Sequence, residues 1–190
     1  QRWRAINLFG RNGASYKFSL AKSILALAKI QKTCISLEDL AIPYTQNLCE
    51  HLKLSPKQTS SKKSTFLKSC QNFNLKKISQ IELLDITKRV GFNYVLDAFH
   101  IVNGKEIGTR FFENNRKKSK EIILTDEVLK LASQNEGNNL LQETEARWRL
   151  VETSWSLGLS KNLIQADFDR STIFIDKYRQ RRTDITSSRA

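Results

Sequence analysis

A pair of aspartates is the closest approach in this sequence to a metal site. Asp167 and Asp169 lie two positions apart, so in a strand both side chains would share one face. Metal-assisted hydrolysis needs two or three carboxylates or imidazoles around one cation, and this pair lacks a third ligand. None of the 19 Asp and Glu residues is followed two positions later by Lys, the spacing of the common nuclease core. A solvated turn is therefore the favoured interpretation, and a cryptic metal nuclease ranks last among three candidate functions.

The histidines and cysteines lack the spacing of a metal or redox site. His51 and His100 lie far apart, and neither has a pair of cysteines nearby. Cys34, Cys49 and Cys70 form no CxxC motif, which excludes a zinc ribbon or a dithiol redox site on spacing. We expect ordinary core or surface imidazoles and free thiols, and no catalytic residue, metal or cofactor in this chain.

The charge of the chain is strongly one-sided. Residues 1–80 carry fourteen Lys and Arg against three acids, a local charge of +11 out of a total of +13. A concentration of one sign that folding does not need favours a polyanionic partner, most often nucleic acid. The sequence therefore predicts a binding module with DNA as partner, and it contains no glycine-rich phosphate loop.

Three basic elements are the candidate phosphate contacts. They are a basic face of the first strong helix, a polar loop over residues 55–65 with the lysines that follow it, and the tip of a β-hairpin. The hairpin resembles the wing of a winged-helix domain, in which a hairpin beside a helical core touches the DNA backbone. The predicted nucleic-acid-binding residues are Arg11, Lys17, Lys22, Lys57, Lys62, Lys63, Lys68, Lys76, Lys77, Arg116, Lys117, Lys118 and Lys120.

The elements that must position these residues are mostly helices. Apolar periodicity and capping residues predict a mainly α fold of six or seven helices with one small hairpin near residues 109–124, winged-helix-like in arrangement. Residues 1–14 are predicted as a lead-in and turn, and residues 55–65 as a mobile surface loop. The predicted helices span 15–32, 36–53, 65–74, 80–89, 92–100, 125–134 and 138–159.

We expect one recognition domain over residues 1–160 and a basic exit segment over residues 161–190. The longest helix, 138–159, places Leu141, Trp148, Val151 and Trp155 on a heptad-like seam. Core packing is the common role of such a seam. The alternative function is a protein-interaction, oligomerisation or regulatory domain that docks a partner, a homodimer included, along this helix.

Three stretches resemble the N-terminal region of bacterial HNH-family endonucleases of the restriction or phage-defence type. They are residues 8–22 (LFGRNGASYKFSLAK), 143–155 (ETEARWRLVETSW) and 185–189 (ITSSR). The resemblance implies a module that recognises or positions DNA, with cleavage supplied by an HNH part beyond Ala190. No catalytic residue of that family is carried over, because the chain stops before any HNH ligand.

The sequence offers no membrane partner. The longest apolar run, around residues 24–30, is interrupted by Lys29 and is far too short to span a bilayer. Arg2 and Arg4 are followed by further polar residues and not by an apolar segment, so no signal peptide is predicted. We expect a protein of the bacterial cytoplasm.

Overall fold

The computed structural model describes residues 2–9, 13–60, 64–133, 135–158, 164–167 and 172–175. It confirms a mainly α-helical fold with a small antiparallel β part. Over these residues there are eight α-helices, one more than the upper prediction. They are α1 (Arg2–Phe9), α2 (Tyr16–Lys29), α3 (Leu37–Leu54), α4 (Thr65–Asn74), α5 (Gln80–Ile86), α6 (Val95–Ala98), α7 (Asp126–Ser133) and α8 (Asn135–Ser156).

Serine caps determine where three of the helices begin. Ser36, Ser64 and Ser79 each accept a hydrogen bond from the backbone N–H three residues later, which satisfies a donor that the first helical turn leaves unpaired. Ser79 also forms a full capping box with Glu82. Ser15 precedes α2 but makes no side-chain cap, and its hydroxyl donates instead to the Gln58 side chain.

The hairpin is part of a three-stranded antiparallel sheet. Strands β4 (Phe112–Asn114) and β5 (Glu121–Leu124) form the predicted hairpin, and β1 (Cys34–Ser36) pairs with the other edge of β5. The strand order is therefore β1-β5-β4. Two short ladders accompany it, β2 (Ile101–Val102) with β3 (Lys105–Glu106), and β6 (Ile164–Asp167) with β7 (Thr172–Ile175).

Two local predictions were wrong. The lead-in is helical as α1, which is fixed to α8 by ion pairs from Arg4 to Glu136 at 3.1 Å and to Glu143 at 2.7 Å. The helix predicted over residues 80–89 is α-helical only as far as Ile86, and it continues as a π-helical turn over Thr87–Gly91. The position of α1 depends on these contacts with a distant helix, which the local sequence does not reveal.

Aromatic side chains dominate the core. Trp3 of α1 is buried and packs edge-on against Phe99 and Phe111. Trp148 in α8 stacks on Phe18 of α2 with ring centroids 6.0 Å apart. Each such ring buries a large apolar surface, which makes these contacts a main stabilising contribution.

Candidate nucleic-acid interface

The two predicted phosphate contacts of helix α2, Lys17 and Lys22, both have partners within the fold. Lys17 is buried, and its ammonium donates to the Ile101 carbonyl oxygen at 3.1 Å. Lys22 pairs with Glu145 of α8 at 2.6 Å and lies over the Trp148 ring at 5.9 Å. Both ammonium groups are therefore bound to acceptors within the fold and are not free cations on the surface. Arg11 lies outside the described residues.

Lys22 belongs to a buried polar cluster around His51. His51 Nδ1 contacts a Glu152 carboxylate oxygen at 2.7 Å, and Nε2 contacts Glu145 at 3.1 Å. The imidazole also stacks on Trp148, with ring centroids 3.4 Å apart and planes 2° from parallel. His51 and Glu152 are each only 3% exposed. A buried carboxylate needs such partners, since an unpaired charge in the core is strongly unfavourable.

The two histidines have opposite electrostatics. Burial lowers the pKa of His51, but hydrogen bonds to Glu145 and Glu152 outweigh burial, so the pKa of His51 lies above its ordinary value. Hydrogen bonding to His51, with Lys22 beside it, holds the pKa of Glu145 well below the ordinary range. Burial, with Arg110 nearby, lowers the pKa of His100 to about 4. His100 is neutral and accepts the Phe111 backbone N–H at 3.0 Å. Both are core imidazoles, as the sequence favoured.

The loop that follows α3 was predicted to be a mobile surface loop over residues 55–65. Over residues 55–60, which the structure describes, it is hydrogen-bonded to α8 in the core. Gln58 is 1% exposed and donates to Glu152, while its amide oxygen accepts the Trp148 indole N–H at 2.9 Å. Lys57 donates to the Trp155 carbonyl oxygen at 2.7 Å and so satisfies the last turn of α8. Lys57 is nevertheless exposed, so its assignment as a phosphate contact stays a prediction. Lys62 and Lys63 lie outside the described residues.

A second group of lysines lies in and after α4. Lys68, Lys76 and Lys77 are exposed, as a phosphate contact requires. The sequence from His51 to Ile81 contains no acid, so the local charge is uniformly positive. Lys76 has a φ of 57° and ends the helix, with its N–H donating to Phe73 at 2.9 Å. These three predicted residues remain available on the surface.

Arg116 at the hairpin is a structural clamp. Its guanidinium donates to the carbonyl oxygens of Phe92 at 3.1 Å and Asn93 at 3.0 Å, and it pairs with Asp97 at 2.6 Å. Its side chain is only 15% exposed. The Arg116 guanidinium is therefore occupied by partners within the fold and is not a free cation for phosphate. The clamp instead fixes the hairpin against the segment between the π-helical turn and α6.

The remaining lysines of the hairpin tip (residues 115–120) face solvent. Lys117, Lys118 and Lys120 are exposed, and none has an ion-pair partner within the described part of the chain. The turn is nevertheless held: the N–H groups of Lys118 and Ser119 donate to Asn115, and the Leu37 N–H donates to the Lys120 carbonyl oxygen at 2.9 Å. The tip therefore presents three exposed cations on a fixed backbone.

The segment beside the tip carries exposed residues that the sequence analysis did not single out. Arg89, Asn93 and Tyr94 are exposed, and Tyr94 is 84% exposed. Tyr94 lies off the apolar stripe of this segment, since Val95 and Leu96 are buried. An aromatic residue off the buried stripe, between basic segments, is the signal that could have identified it.

The described part of the chain contains no group of three His, Cys, Asp or Glu residues placed to hold a metal. Asp167 is the last residue of β6, and Asp169 lies outside the described residues. The basic exit segment beyond β7 also lies outside them. The seam of α8 is internal, since Trp148, Val151 and Trp155 are buried. Partner docking along α8 would need a different face.

Comparison with known proteins identified no matching family model, curated protein or solved structure. The resemblance to HNH-family endonucleases therefore stays a prediction. No helix in the described ranges has the length and apolar character needed to cross a bilayer.

Proposed function

We propose that this chain is a DNA-binding module in which the exposed lysines of the hairpin tip contact the phosphate backbone. The observation that carries the proposal is the state of Lys117, Lys118 and Lys120: exposed, without an acidic partner among described residues, and held on an ordered turn. Lys68, Lys76 and Lys77 supply a second positive surface. Lysine ammonium groups bind phosphate by charge, with little dependence on base sequence.

The topology supports this proposal. The chain runs helix α2, strand β1, helix α3, further helices, then the hairpin β4–β5, and the sheet order is β1-β5-β4. Winged-helix domains are built in this order, with the first strand pairing the last and the hairpin serving as the wing. The likeness concerns arrangement alone, and it bears on function only through the charged tip.

The binding mechanism is backbone neutralisation. Each lysine that pairs with a phosphate releases condensed counterions, so affinity falls steeply as salt rises, with a logarithmic slope of about 0.9 per contact on duplex DNA. The resemblance to HNH-family endonucleases extends the proposal: the module positions DNA for a nuclease part that supplies the cleavage. Metal-dependent chemistry is not assigned to the residues described above.

A titration of labelled DNA by fluorescence anisotropy tests the proposal. The protein is expected to bind duplex DNA at low salt and to lose affinity linearly on a log–log plot as potassium chloride is raised. A charge-matched pair of variants localises the contact. Lys117→Gln with Lys118→Gln should weaken binding, whereas Lys29→Gln with Lys130→Gln, which also changes exposed lysines, should not. Absence of binding at low salt to duplex and single-stranded DNA would overturn the proposal.

A further inference from the structure

We infer that Tyr94 is a base-stacking site that takes an unpaired base of the DNA held by the hairpin tip. The inference rests on the proposed function and adds a substrate class to it: DNA in which at least one base is outside the duplex stack. It is built on the geometry of the segment between the π-helical turn and α6, which lies beside the tip.

The Tyr94 ring is exposed because its neighbours occupy the core. Phe92 is 1% exposed and Val95 is 5% exposed, whereas Tyr94 between them is 84% exposed. An aromatic ring with this exposure leaves most of its apolar surface in water, where it gives no stabilisation to the fold. The surface is available to a ligand with a flat, apolar face.

The segment that carries Tyr94 is rigid. The Tyr44 hydroxyl donates to the Gly91 carbonyl oxygen at 3.2 Å inside the core. Gly91 itself lies against Phe66, where an added Cβ would be only 3.1 Å from the ring. The π-helical turn that ends there is a rare conformation, and π-helical turns often occur at functional sites. Because the backbone is fixed, Tyr94 loses little entropy when a ligand stacks on it.

The same segment is fixed to the basic tip. Arg116 donates to the carbonyl oxygens of Phe92 and Asn93, the residue directly before Tyr94. A second bond joins Asn114 of β4 to Asp97 at 2.9 Å. The segment that carries Tyr94 and the tip that carries the lysines are therefore joined directly, and they cannot separate without breaking these bonds.

The charges around Tyr94 favour a polyanion. Asp97 is paired with Arg116, and Asp85 of α5 and Glu38 of α3 both contact Lys88, at 3.0 and 3.6 Å. Glu113 of β4 pairs with Arg110, and Glu82 of α5 is bound in the Ser79 capping box. Arg89 is exposed and has no ion pair with any residue that the structure describes. Arg89 therefore adds a positive charge to the stretch of chain that leads to Tyr94, and a positive charge complements phosphate.

Stacking on Tyr94 requires a base whose face is accessible. In a continuous duplex each base is stacked on its neighbours and shows only its edges in the grooves. An unpaired base offers its face, and stacking of one base on an aromatic side chain contributes about 1–3 kcal/mol by alanine substitution. The structure thus favours DNA with a bulged, mismatched or single-stranded base next to a backbone that the tip lysines bind.

The test compares three labelled DNAs: a fully paired duplex, the same duplex with one bulged nucleotide, and a single strand. The wild-type protein is expected to bind the bulged duplex about 10-fold more tightly than the paired duplex, a difference of about 1.4 kcal/mol. Tyr94→Ala should abolish this preference, and Tyr94→Phe, which keeps the ring, should retain it. Ile81→Ala, another exposed apolar truncation, is the matched control and should keep the preference.

The outcomes separate the two proposals. Salt-dependent binding without a preference for the bulge, or a preference that Tyr94→Ala leaves intact, would overturn the stacking site and leave the DNA-binding proposal standing. Failure of the wild-type protein to bind any of the three DNAs would overturn both. A 2-aminopurine placed in the bulge adds a direct readout: its fluorescence is expected to fall on binding to wild type and not to Tyr94→Ala.

Discussion

The lysines of α2 and those of the hairpin tip are the same residue type in two opposite roles. Lys17 and Lys22 lie on α2. Their ammonium groups bind the Ile101 carbonyl oxygen and the Glu145 carboxylate, so both cations have partners within the fold. Lys117 and Lys118 lie on a turn, exposed and without acidic partners in the described ranges. A cluster of basic residues therefore indicates an interface only after the acids that pack against it have been placed.

The two groups of lysines should contribute differently to the stability of the fold. Internal cations stabilise the fold by satisfying buried acceptors, and their removal leaves an unpaired charge that is costly in the core. Unpaired surface cations contribute little to stability, so they are free to act in binding. Substitutions inside the His51 cluster should therefore lower the free energy of unfolding and leave DNA affinity unchanged. Substitutions at the hairpin tip should lower DNA affinity and leave the free energy of unfolding unchanged.

The largest effect is expected for Glu152→Ala. This carboxylate is 3% exposed and is bound by His51, Gln58 and Arg149, so its removal leaves buried donors without a partner. We expect a decrease of about 3–5 kcal/mol in the free energy of unfolding, measured by urea denaturation. Glu113→Ala, at an exposed carboxylate of the hairpin, should change the free energy by well under 1 kcal/mol. Equal effects of the two substitutions would contradict the assigned role of the cluster.

Opposite pH dependence should distinguish the two histidines. The folded-state pKa of His51 is raised, so its stabilisation is complete below the unfolded pKa of about 6.5 and is lost as the pH rises through the folded value. The destabilisation by His51→Gln should therefore shrink as the solution is made alkaline. The pKa of His100 is lowered to about 4 in the folded state, so the neutral imidazole stabilises the fold above the unfolded pKa of about 6.5. This stabilisation is lost as the pH falls from about 6.5 towards 4. The destabilisation by His100→Gln should shrink on acidification instead. Urea titrations over the pH range measure both trends, and parallel trends would contradict the assignment.

Lys22→Gln should lower stability without lowering DNA affinity. It removes the 2.6 Å ion pair to Glu145 and the interaction with Trp148, which together contribute about 1 kcal/mol at this partly buried site. Thermal unfolding and anisotropy on the folded variant measure the two quantities separately. A decrease in DNA affinity in this variant would restore the basic face of α2 to the interface.

The smallest effect is expected for Lys57→Gln. Its ammonium satisfies the Trp155 carbonyl oxygen, and because Lys57 is exposed this hydrogen bond contributes only about 0.5 kcal/mol. Urea denaturation should show a decrease in stability of that size, and the salt dependence of DNA binding should be unchanged. A reduced salt slope would mean that Lys57 leaves α8 to bind phosphate.

Local signals determined how much could be predicted from the sequence. The bounds of α3 and α4 follow from Ser36, Ser64 and apolar periodicity, and these were predicted to within a residue or two. The roles of Lys22 and Arg116 could not be predicted, because their partners Glu145 and Asp97 lie in other elements and only the fold places them together. The position of Gln58 could not be predicted for the same reason. A polar residue in a loop was expected on the surface, but Gln58 is buried and accepts the indole N–H of Trp148 in α8.

The salt dependence of DNA affinity in two charge-matched variants tests the central claim most directly. Removal of one lysine–phosphate ion pair at the tip should reduce the logarithmic slope by about 0.9, so Lys117→Gln with Lys118→Gln should reduce it by about 2 relative to wild type. Lys29→Gln with Lys130→Gln removes the same charge elsewhere on the surface and should leave the slope unchanged. Identical slopes in the two variants would contradict the assignment of the hairpin tip as the DNA-binding element.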